Sequence, residues 1–272
     1  MQLIEANGAK IPQLGLGTWG LSGAICARIV EQALRLGYRH IDTAQAYENE
    51  REVGEGLRAS GVARSEVFVT TKVWWTRFAD GDLQRSAEES VKRLKLDEVD
   101  LLLLHWPNSS VPLEETITAL NAVKARGLAR HIGVSNFTVA LVEQAVKFSK
   151  AKLVTDQIEC HPYLDQSKVM AACKRHGLAV TAYSPIAKGA AGHDKTLAKI
   201  GRTHKKSAAQ ICLRYLVQQE IVVIPRTSRV ERLAENAEIF DFELSAAEMA
   251  AIRALAHPKG RAISPSWAPA WD

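Results

Sequence analysis

Residues 99–108 read VDLLLLHWPN, and this stretch decides the fold because it predicts a strand that is buried on both faces. Four consecutive leucines suit a strand of a parallel sheet, in which helices cover both faces. Pro107 ends the strand, since proline has no N–H to donate to a neighbouring strand. The apolar run therefore places His105 at the carboxyl end of a buried strand.

The same kind of short β-rich run occurs eight times along the chain. Amphipathic segments with apolar residues three and four apart lie between the runs, for example at 27–37, 82–96, 113–127 and 208–219. Alternating strands and helices predict right-handed crossovers and a parallel sheet. The predicted strands are Leu14–Thr18, Tyr38–Thr43, Val67–Lys72, Asp100–His105, Arg130–Ser135, Val154–Glu159, Leu178–Tyr183 and Ile221–Pro225.

Eight strand–helix units in 272 residues predict an α/β fold of the (β/α)8 TIM-barrel type. An open, doubly wound sheet would carry G-x-G-x-x-G after its first strand, and GTWGLSGAI at 17–25 lacks that spacing. Asn7-Gly8 predicts an N-terminal β-hairpin. Ser245 predicts the N-cap of an additional helix, which is followed by an irregular C-terminal tail. We expect one barrel domain over residues 1–272.

The composition is that of a soluble globular protein, with 47% hydrophobic and 24% charged residues. The net charge of +5 comes from basic residues interleaved with acidic ones, which excludes a nucleic-acid groove and suits a small anionic ligand. No segment is apolar enough to span a membrane, and the first ten residues lack the pattern of a signal peptide. Because the four cysteines are scattered, we expect reduced thiols and a cytoplasmic protein without a membrane partner.

Polar and aromatic residues follow the predicted strands, at the end of a barrel where active sites lie. Asp42, Lys72 and His105 stand at strand ends, and Tyr47 follows closely after one. A nearby ammonium lowers the pKa of a tyrosine, a buried aspartate holds the lysine, and a neutral imidazole orients a substrate oxygen. This set has no nucleophile but can protonate an oxygen while a hydride is delivered. It therefore suits carbonyl reduction.

Metal-dependent hydrolysis is the competing chemistry of such barrels. It requires several histidines and carboxylates, and no strand end has the spacing H-x-H or H-x-x-x-H. The ECHP stretch at 159–162 contains one adjacent Cys-His pair, for which we favour structural packing. We expect no metal.

Eight motifs in this order make the chain resemble the aldo-keto reductases, a family of NADP-dependent barrel enzymes. The resemblance covers essentially the whole chain, and the tail SPSWAPAWD at 264–272 is similar to short bacterial members that reduce diketo-gluconate and methylglyoxal. It implies NADPH-dependent reduction of small aldehydes, ketones and α-dicarbonyls. The motifs are GLGTW (15–19), IDTAQAYENE (41–50), TTKVW (70–74), LLLLHWP (101–107), IGVSNF (132–137), DQIECHPY (156–163), AYSPIAKG (182–189) and IPRTSRVERLAEN (224–236).

The resemblance also implies a role for individual residues. Tyr47 would donate the proton, Lys72 would lower its pKa, Asp42 would pair with Lys72, and His105 would orient the carbonyl. The substrate would be bound by Trp19, Tyr47, Trp74, His105 and Trp106, and Trp75, Trp267 and Trp271 would add to a shallow site.

The implied cofactor is NADPH, held by residues from several strand ends. Ser135, Asn136 and Gln157 would bind the carboxamide, Tyr183 would stack on the nicotinamide, and Ser184 with the loop 187–192 would lie along the pyrophosphate. The 2′-phosphate would be bound by Arg226, Thr227, Ser228 and Arg232, and the adenine by Glu235 and Asn236. The remaining implied cofactor contacts are Thr18, Trp19, Asp42 and Pro225.

The same fold and the same four residues occur in family members that act as regulatory subunits of ion channels. An NADP-binding regulatory or sensor subunit with little turnover is therefore the alternative hypothesis. The presence of these four residues does not distinguish an enzyme from a sensor subunit. We favour an enzyme that acts as a monomer on a small carbonyl substrate.

Overall fold

The computed structural model describes residues 2–272 and begins with an antiparallel hairpin. Its strands β1 (Leu3–Ala6) and β2 (Ala9–Pro12) are joined by Asn7 and Gly8, whose φ angles are 48° and 90°. A two-residue type I′ turn requires positive φ at both positions, and Asn-Gly adopts them with little strain. The Asn7 side chain also donates to the carbonyl of Leu153 at 2.7 Å, which ties the hairpin to the sheet.

Eight parallel strands follow, and each pairs with the next in chain order. The first and last strands meet as well, since Gly15 N donates to Val223 O and Val223 N donates to Gln13 O, both at 2.8 Å. The sheet therefore closes, and the predicted TIM barrel is confirmed. The strands are β3 (Leu16–Gly17), β4 (His40–Asp42), β5 (Phe68–Val73), β6 (Val99–Leu104), β7 (Ala129–Ser135), β8 (Leu153–Glu159), β9 (Ala179–Tyr183) and β10 (Val222–Val223).

Helices surround the barrel, and two of them, α7 (Lys195–His204) and α10 (Ala246–Arg253), are additional to the eight strand–helix units. Helix α10 begins where Ser245 predicts it, because Ser245 Oγ accepts from Glu248 N and the Glu248 carboxylate accepts from Ser245 N at 2.8 Å. The helices are α1 (Gly23–Arg35), α2 (Glu50–Ala59), α3 (Asp82–Leu94), α4 (Leu113–Ala125), α5 (Val139–Phe148), α6 (Ser167–Arg175), α7 (Lys195–His204), α8 (Ala208–Val217), α9 (Val230–Ala237) and α10 (Ala246–Arg253).

The four leucines of β6 contribute to two hydrophobic cores, one inside the barrel and one between the barrel and the helices. Leu101 and Leu103 point into the barrel and pack in the same cluster as Ile11 of the hairpin, while Leu102 and Leu104 pack against the helices. Every residue of β6 is buried, as the continuous apolar run predicts.

The regular parts of β3 and β10 are shorter than the predicted runs Leu14–Thr18 and Ile221–Pro225. Leu14 and Gly17 join the last strand only through isolated bridges, and Pro225 has no N–H to extend the ladder. Among residues 2–272, no helix is long and apolar enough to cross a membrane.

Helices α1 and α2 approach closely at Gly56, which yields the first prediction. A Cβ at this position would lie 2.5 Å from Ala27 O and 2.7 Å from Val30 Cβ. We expect Gly56→Ala to lower the free energy of unfolding by about 1–3 kcal/mol, because the helices must separate. Urea denaturation measures the loss. Gly192→Ala is the control, since nothing lies within 4 Å of a Cβ there, and equal stability of the two variants would contradict the packing argument.

Candidate active site

Three neighbouring strands bring the predicted catalytic residues to one end of the barrel. Asp42 ends β4, Lys72 lies one residue before the end of β5, and His105 follows β6 directly. A 3-10 turn, Gln45–Tyr47, follows β4 and carries Tyr47 over the same end. Residues spread over 64 positions of the sequence therefore face one site because parallel strands share one direction.

Lys72 and Asp42 form a buried ion pair, with Lys72 Nζ 2.6 Å from Asp42 Oδ1. Their side chains are 0% and 2% exposed. Lys72 Nζ also donates to Thr43 O at 2.9 Å, and Gln157 Nε2 donates to Asp42 Oδ2 at 2.7 Å. Both carboxylate oxygens thus accept hydrogen bonds, which offsets the cost of removing the charges from water.

The half-buried Tyr47 hydroxyl accepts a hydrogen bond from Lys72 Nζ at 3.4 Å. Burial raises the pKa of Tyr47, and the charge on Lys72 acts against that rise. For Lys72, burial works against the charge, but Asp42 and Tyr47 together raise its pKa above the usual value. At neutral pH the site therefore holds a protonated phenol beside a lysine cation, which can stabilise the phenolate that proton transfer leaves.

The His105 ring lies next to Tyr47 and is neutral. Its centroid is 5.6 Å from the Tyr47 ring and 5.1 Å from Trp74, both edge to face. Burial, with the charge of Lys72 in addition, holds the pKa of His105 well below its usual value. Asn136 Nδ2 donates to His105 O at 3.0 Å and fixes the backbone. A neutral imidazole here can donate a hydrogen bond to a carbonyl oxygen without protonating it.

The four residues predicted to hold the nicotinamide form one hydrogen-bonded group. Tyr183 OH donates to Asn136 Oδ1 at 2.7 Å, and Ser135 Oγ donates to Gln157 O at 2.7 Å. Through Gln157 and Asp42 this group joins the ion pair. Ser184 follows with a φ of 48°, which turns the chain out of the barrel into the loop 187–192.

The predicted phosphate-binding residues lie between β10 and the start of α9. Arg226 Nε and Nη2 donate to the carbonyls of Trp19 and Gly20 at 3.1 and 2.9 Å. Its guanidinium therefore links the loop after β10 to the loop after β3, where the barrel closes. Thr227 Oγ1 accepts from Arg229 N at 3.0 Å and shapes the turn into α9. Ser228 is exposed, and Pro225 O accepts from Gly17 N at 3.1 Å.

Helix α9 carries the remaining predicted cofactor residues. Arg232 is half exposed, with Nε 3.5 Å from a Glu235 oxygen. Glu235 also accepts from Ser207 Oγ at 2.6 Å, and Asn236 is buried. Sequence reasoning missed Arg229, which is the N-cap of α9 and exposed. The spacing of arginines at 226, 229 and 232 was the available signal, since it places cations around one helix start.

Tryptophan rings pack in two groups, one around Trp74 and one at Trp106. The Trp267 ring of the C-terminal tail lies 6.5 Å from Trp74 and 6.3 Å from Trp75, and Trp271 lies 6.1 Å from Trp106. In the loop after β3, Trp19 is 64% exposed, and the neighbouring Thr18 donates from Oγ1 to Asp42 O at 3.0 Å.

Glu159 anchors the tail, which sequence reasoning missed. Its carboxylate accepts from Ala262 N at 2.7 Å, Ile263 N at 3.0 Å and His161 at 2.9 Å. No local signal reveals this role, because the tail lies more than a hundred residues away in the sequence. Within residues 2–272, no three His, Cys, Asp or Glu side chains are grouped so that they could hold a metal ion.

Comparisons with known proteins agree with this geometry. The model of the Aldo/keto reductase family matches residues 13–257. The chain belongs to this family. The aldo/keto reductases are oxidoreductases that act on carbonyl compounds, so the expected enzyme class and the resemblance are confirmed.

Individual aldo/keto reductases are similar over almost the full chain. Methylglyoxal reductase DkgB of Salmonella typhimurium is 42% identical over 96% of this chain and 99% of that protein. Glyoxal reductase of Bacillus subtilis is 40% identical over 92% of this chain and 90% of that protein. A crystal structure assigned as a 2,5-diketo-D-gluconic acid reductase B has 50% identity and a TM-score of 0.98, with 100% of this chain and 98% of that chain covered.

The buried ion pair yields the second prediction. We expect Asp42→Asn to lower the free energy of unfolding by about 3–5 kcal/mol, because it leaves the Lys72 charge buried without its partner. Urea denaturation at pH 7 measures the change. Glu143→Gln is the control: its 2.8 Å pair with Arg175 has side chains 49% and 55% exposed, and we expect a loss below about 1 kcal/mol. Similar losses in both variants would contradict the argument.

Proposed function

We propose that this aldo/keto reductase uses NADPH to reduce small aldehydes, ketones and α-dicarbonyls to alcohols, with Tyr47 as the proton donor. One observation carries the proposal. The hydroxyl of Tyr47 accepts from the buried Lys72–Asp42 pair and lies beside the neutral ring of His105. A protonated phenol, a fixed cation and an uncharged hydrogen-bond donor are what the protonation of a developing alkoxide requires.

NADPH, when bound, would supply the hydride. The substrate oxygen lies between Tyr47 and His105, and the imidazole orients it by a hydrogen bond. As negative charge develops on this oxygen, Tyr47 transfers its proton, and Lys72 stabilises the phenolate that remains. Asp42 keeps Lys72 in place and charged.

The residues present fit a dinucleotide that carries a 2′-phosphate. The fixed amide, hydroxyl and phenol groups of Asn136, Ser135 and Tyr183 suit the nicotinamide end. At the other end, Arg229 is the N-cap of α9 and Arg232 lies in its first turn, where the helix dipole also favours an anion. Guanidinium groups bind phosphate oxygens in pairs, which favours NADPH over NADH.

The substrate class rests on the walls of the site and on the relatives. Trp74 and Trp106 confine the space above His105, and they suit compact substrates. The relatives at 40–42% identity are named for the reduction of methylglyoxal and glyoxal, which are small dicarbonyls. We assign the same class to this protein.

The third prediction tests the reaction. We expect NADPH absorbance to fall with methylglyoxal, glyoxal and simple aldehydes, and a steroid ketone to react far more slowly. Tyr47→Phe should lower kcat by roughly a thousandfold, because only the proton donor is removed. Its Kd for NADPH, measured by fluorescence, should change by less than about threefold. Tyr215→Phe, on α8 away from the site, is the control.

Full activity of Tyr47→Phe would show that Tyr47 is not the proton donor. If the wild-type protein binds NADPH but consumes none with any carbonyl, the reductase proposal is wrong and the sensor hypothesis gains support.

The fourth prediction concerns the cofactor. We expect Arg232→Ala to raise the KM for NADPH roughly tenfold, since one charge-assisted contact to phosphate is lost. The KM for NADH should change little, because NADH has no 2′-phosphate. Arg202→Ala, which removes an exposed arginine of α7, is the control. An equal rise for NADH and NADPH would contradict the assignment of Arg232 to the 2′-phosphate.

A further inference from the structure

The turn that carries Tyr47 is too short to hold its own position. It spans Gln45–Tyr47, and backbone hydrogen bonds of 3.0 Å close it, one of them from Glu48 N to Gln45 O. Glu48, which ends the turn, has a φ of 55°, a left-handed conformation that residues other than glycine adopt at some cost. Short pieces of 3-10 helix have poor hydrogen-bond geometry of their own. Contacts outside the turn must therefore hold the Tyr47 hydroxyl beside Lys72.

The side chain of Gln45 supplies such contacts. Its Nε2 donates to Ser86 O and to Ser90 Oγ, both at 2.8 Å. Its Oε1 accepts from Ser86 Oγ at 3.0 Å and from Trp74 N at 3.2 Å. A primary amide has two N–H donors and an oxygen that accepts two hydrogen bonds, so every hydrogen-bonding position of this amide is used. The amide is therefore fixed at both of its polar atoms.

Helix α3 receives the Gln45 amide on one buried face. Ser86 and Ser90 are four residues apart in this helix, so their side chains lie on the same face. They are 1% and 0% exposed. Serine is not a favourable residue inside a helix, because its hydroxyl competes for backbone hydrogen bonds. Here the hydroxyls bond to Gln45 instead, and they tie the short turn to a helix of 13 residues.

Through Trp74 the same amide reaches the surroundings of His105. Trp74 follows β5 directly, and its ring lies 5.1 Å from the His105 ring, while the Tyr47 ring lies 5.6 Å from it. Gln45 therefore links the two segments whose aromatic rings border the imidazole. The Tyr47 hydroxyl is 3.4 Å from Lys72 Nζ, which is longer than the usual range for a hydrogen bond. A small shift of the turn would break this contact.

We propose that Gln45 is a positioning residue of the reaction, because its amide holds Tyr47 beside Lys72 in the geometry that proton transfer requires. This inference rests on the proposed reductase function, with Tyr47 as the proton donor. A proton donor must lie within hydrogen-bond reach of the oxygen that it protonates. A displacement of about 1 Å can lower the rate by a factor on the order of a hundred. Since Gln45 acts through Tyr47, its loss should affect proton transfer and leave cofactor binding intact.

The test removes the amide and keeps the length of the side chain. Gln45→Met should lower kcat for methylglyoxal at saturating NADPH roughly thirtyfold, because the proton donor is no longer held in place. The KM for methylglyoxal and the Kd for NADPH should each change by less than about threefold. Ser86→Ala removes one of the four hydrogen bonds of the amide and should lower kcat only about threefold.

The pH profile separates positioning from a loss of stability. The kcat/KM for reduction falls as the pH rises through the pKa of Tyr47, since the donor must be protonated. Lys72 and Asp42 are the charged groups that face Tyr47, and the rings of His105 and Tyr183 are uncharged. The charge of Lys72 acts against the rise that burial causes in the pKa of Tyr47, so a phenol displaced from Lys72 has a higher pKa. In the variant that lacks the amide, the fall should therefore occur at higher pH than in wild type.

Gln218→Met is the matched control. The Gln218 amide also joins two segments, since its Nε2 donates to Leu244 O at 2.8 Å and its Oε1 accepts from Leu244 N at 3.0 Å. It lies at the end of α8, just before β10, and therefore at the opposite end of the barrel from Tyr47. We expect this variant to lower the midpoint of urea denaturation as Gln45→Met does, and to keep the kcat and the pH profile of wild type.

The outcomes distinguish the role of Gln45 from the reaction itself. If Gln45→Met lowers kcat no more than Gln218→Met, or lowers it without moving the pH profile, the inference about Gln45 is wrong and the reductase proposal stands. If Gln45→Met does not fold, Ser86→Ala decides, and a wild-type kcat in that variant contradicts the inference. If wild type binds NADPH but does not reduce methylglyoxal or any other carbonyl compound, the proposed function itself fails.

Discussion

The structure of the site depends on burying Lys72 and Asp42 together. Two charges without contact to water need a complete set of partners, because each unpaired group would cost several kcal/mol, on the order of 3–5. Thr43 O and Gln157 Nε2 complete the set, and Gln157 lies 115 residues from Asp42. The barrel brings the ends of β4, β5 and β8 around one point, so the fold places the ion pair beside its partner Gln157.

Burial and the Lys72 cation together set the protonation states around the ion pair. Burial, with the charge of Lys72 in addition, holds the pKa of His105 down. Burial also raises the pKa of Tyr47, and the charge of Lys72 acts against that rise. At neutral pH the phenol of Tyr47 therefore keeps its proton, and the imidazole of His105 stays uncharged. In the proposed reaction, this difference is what makes Tyr47 the proton donor and His105 the residue that orients the carbonyl.

Much of the fold could be predicted because its signals are local. The leucines of 101–104, the Asn7-Gly8 turn and the Ser245 cap each act within a few residues, and strand ends indicate the face where polar residues meet. Contacts between distant segments could not be predicted in this way. The bonds of Arg226 to Trp19 and Gly20, and of Glu159 to the tail, depend on how loops fold over the barrel, which no periodic pattern encodes.

The Lys72–Asp42 pair and the C-terminal tail are held in place by different kinds of structure. Lys72 and Asp42 lie in strands that pair on both sides, so their positions follow from the barrel itself. The tail has no ladder and is held by a few bonds, mainly to Glu159 and from Val139 N to Asp272. Loops fixed by few contacts tolerate sequence change better than core strands. Substitutions in 261–272 should therefore leave the geometry of Lys72 and Asp42 unchanged.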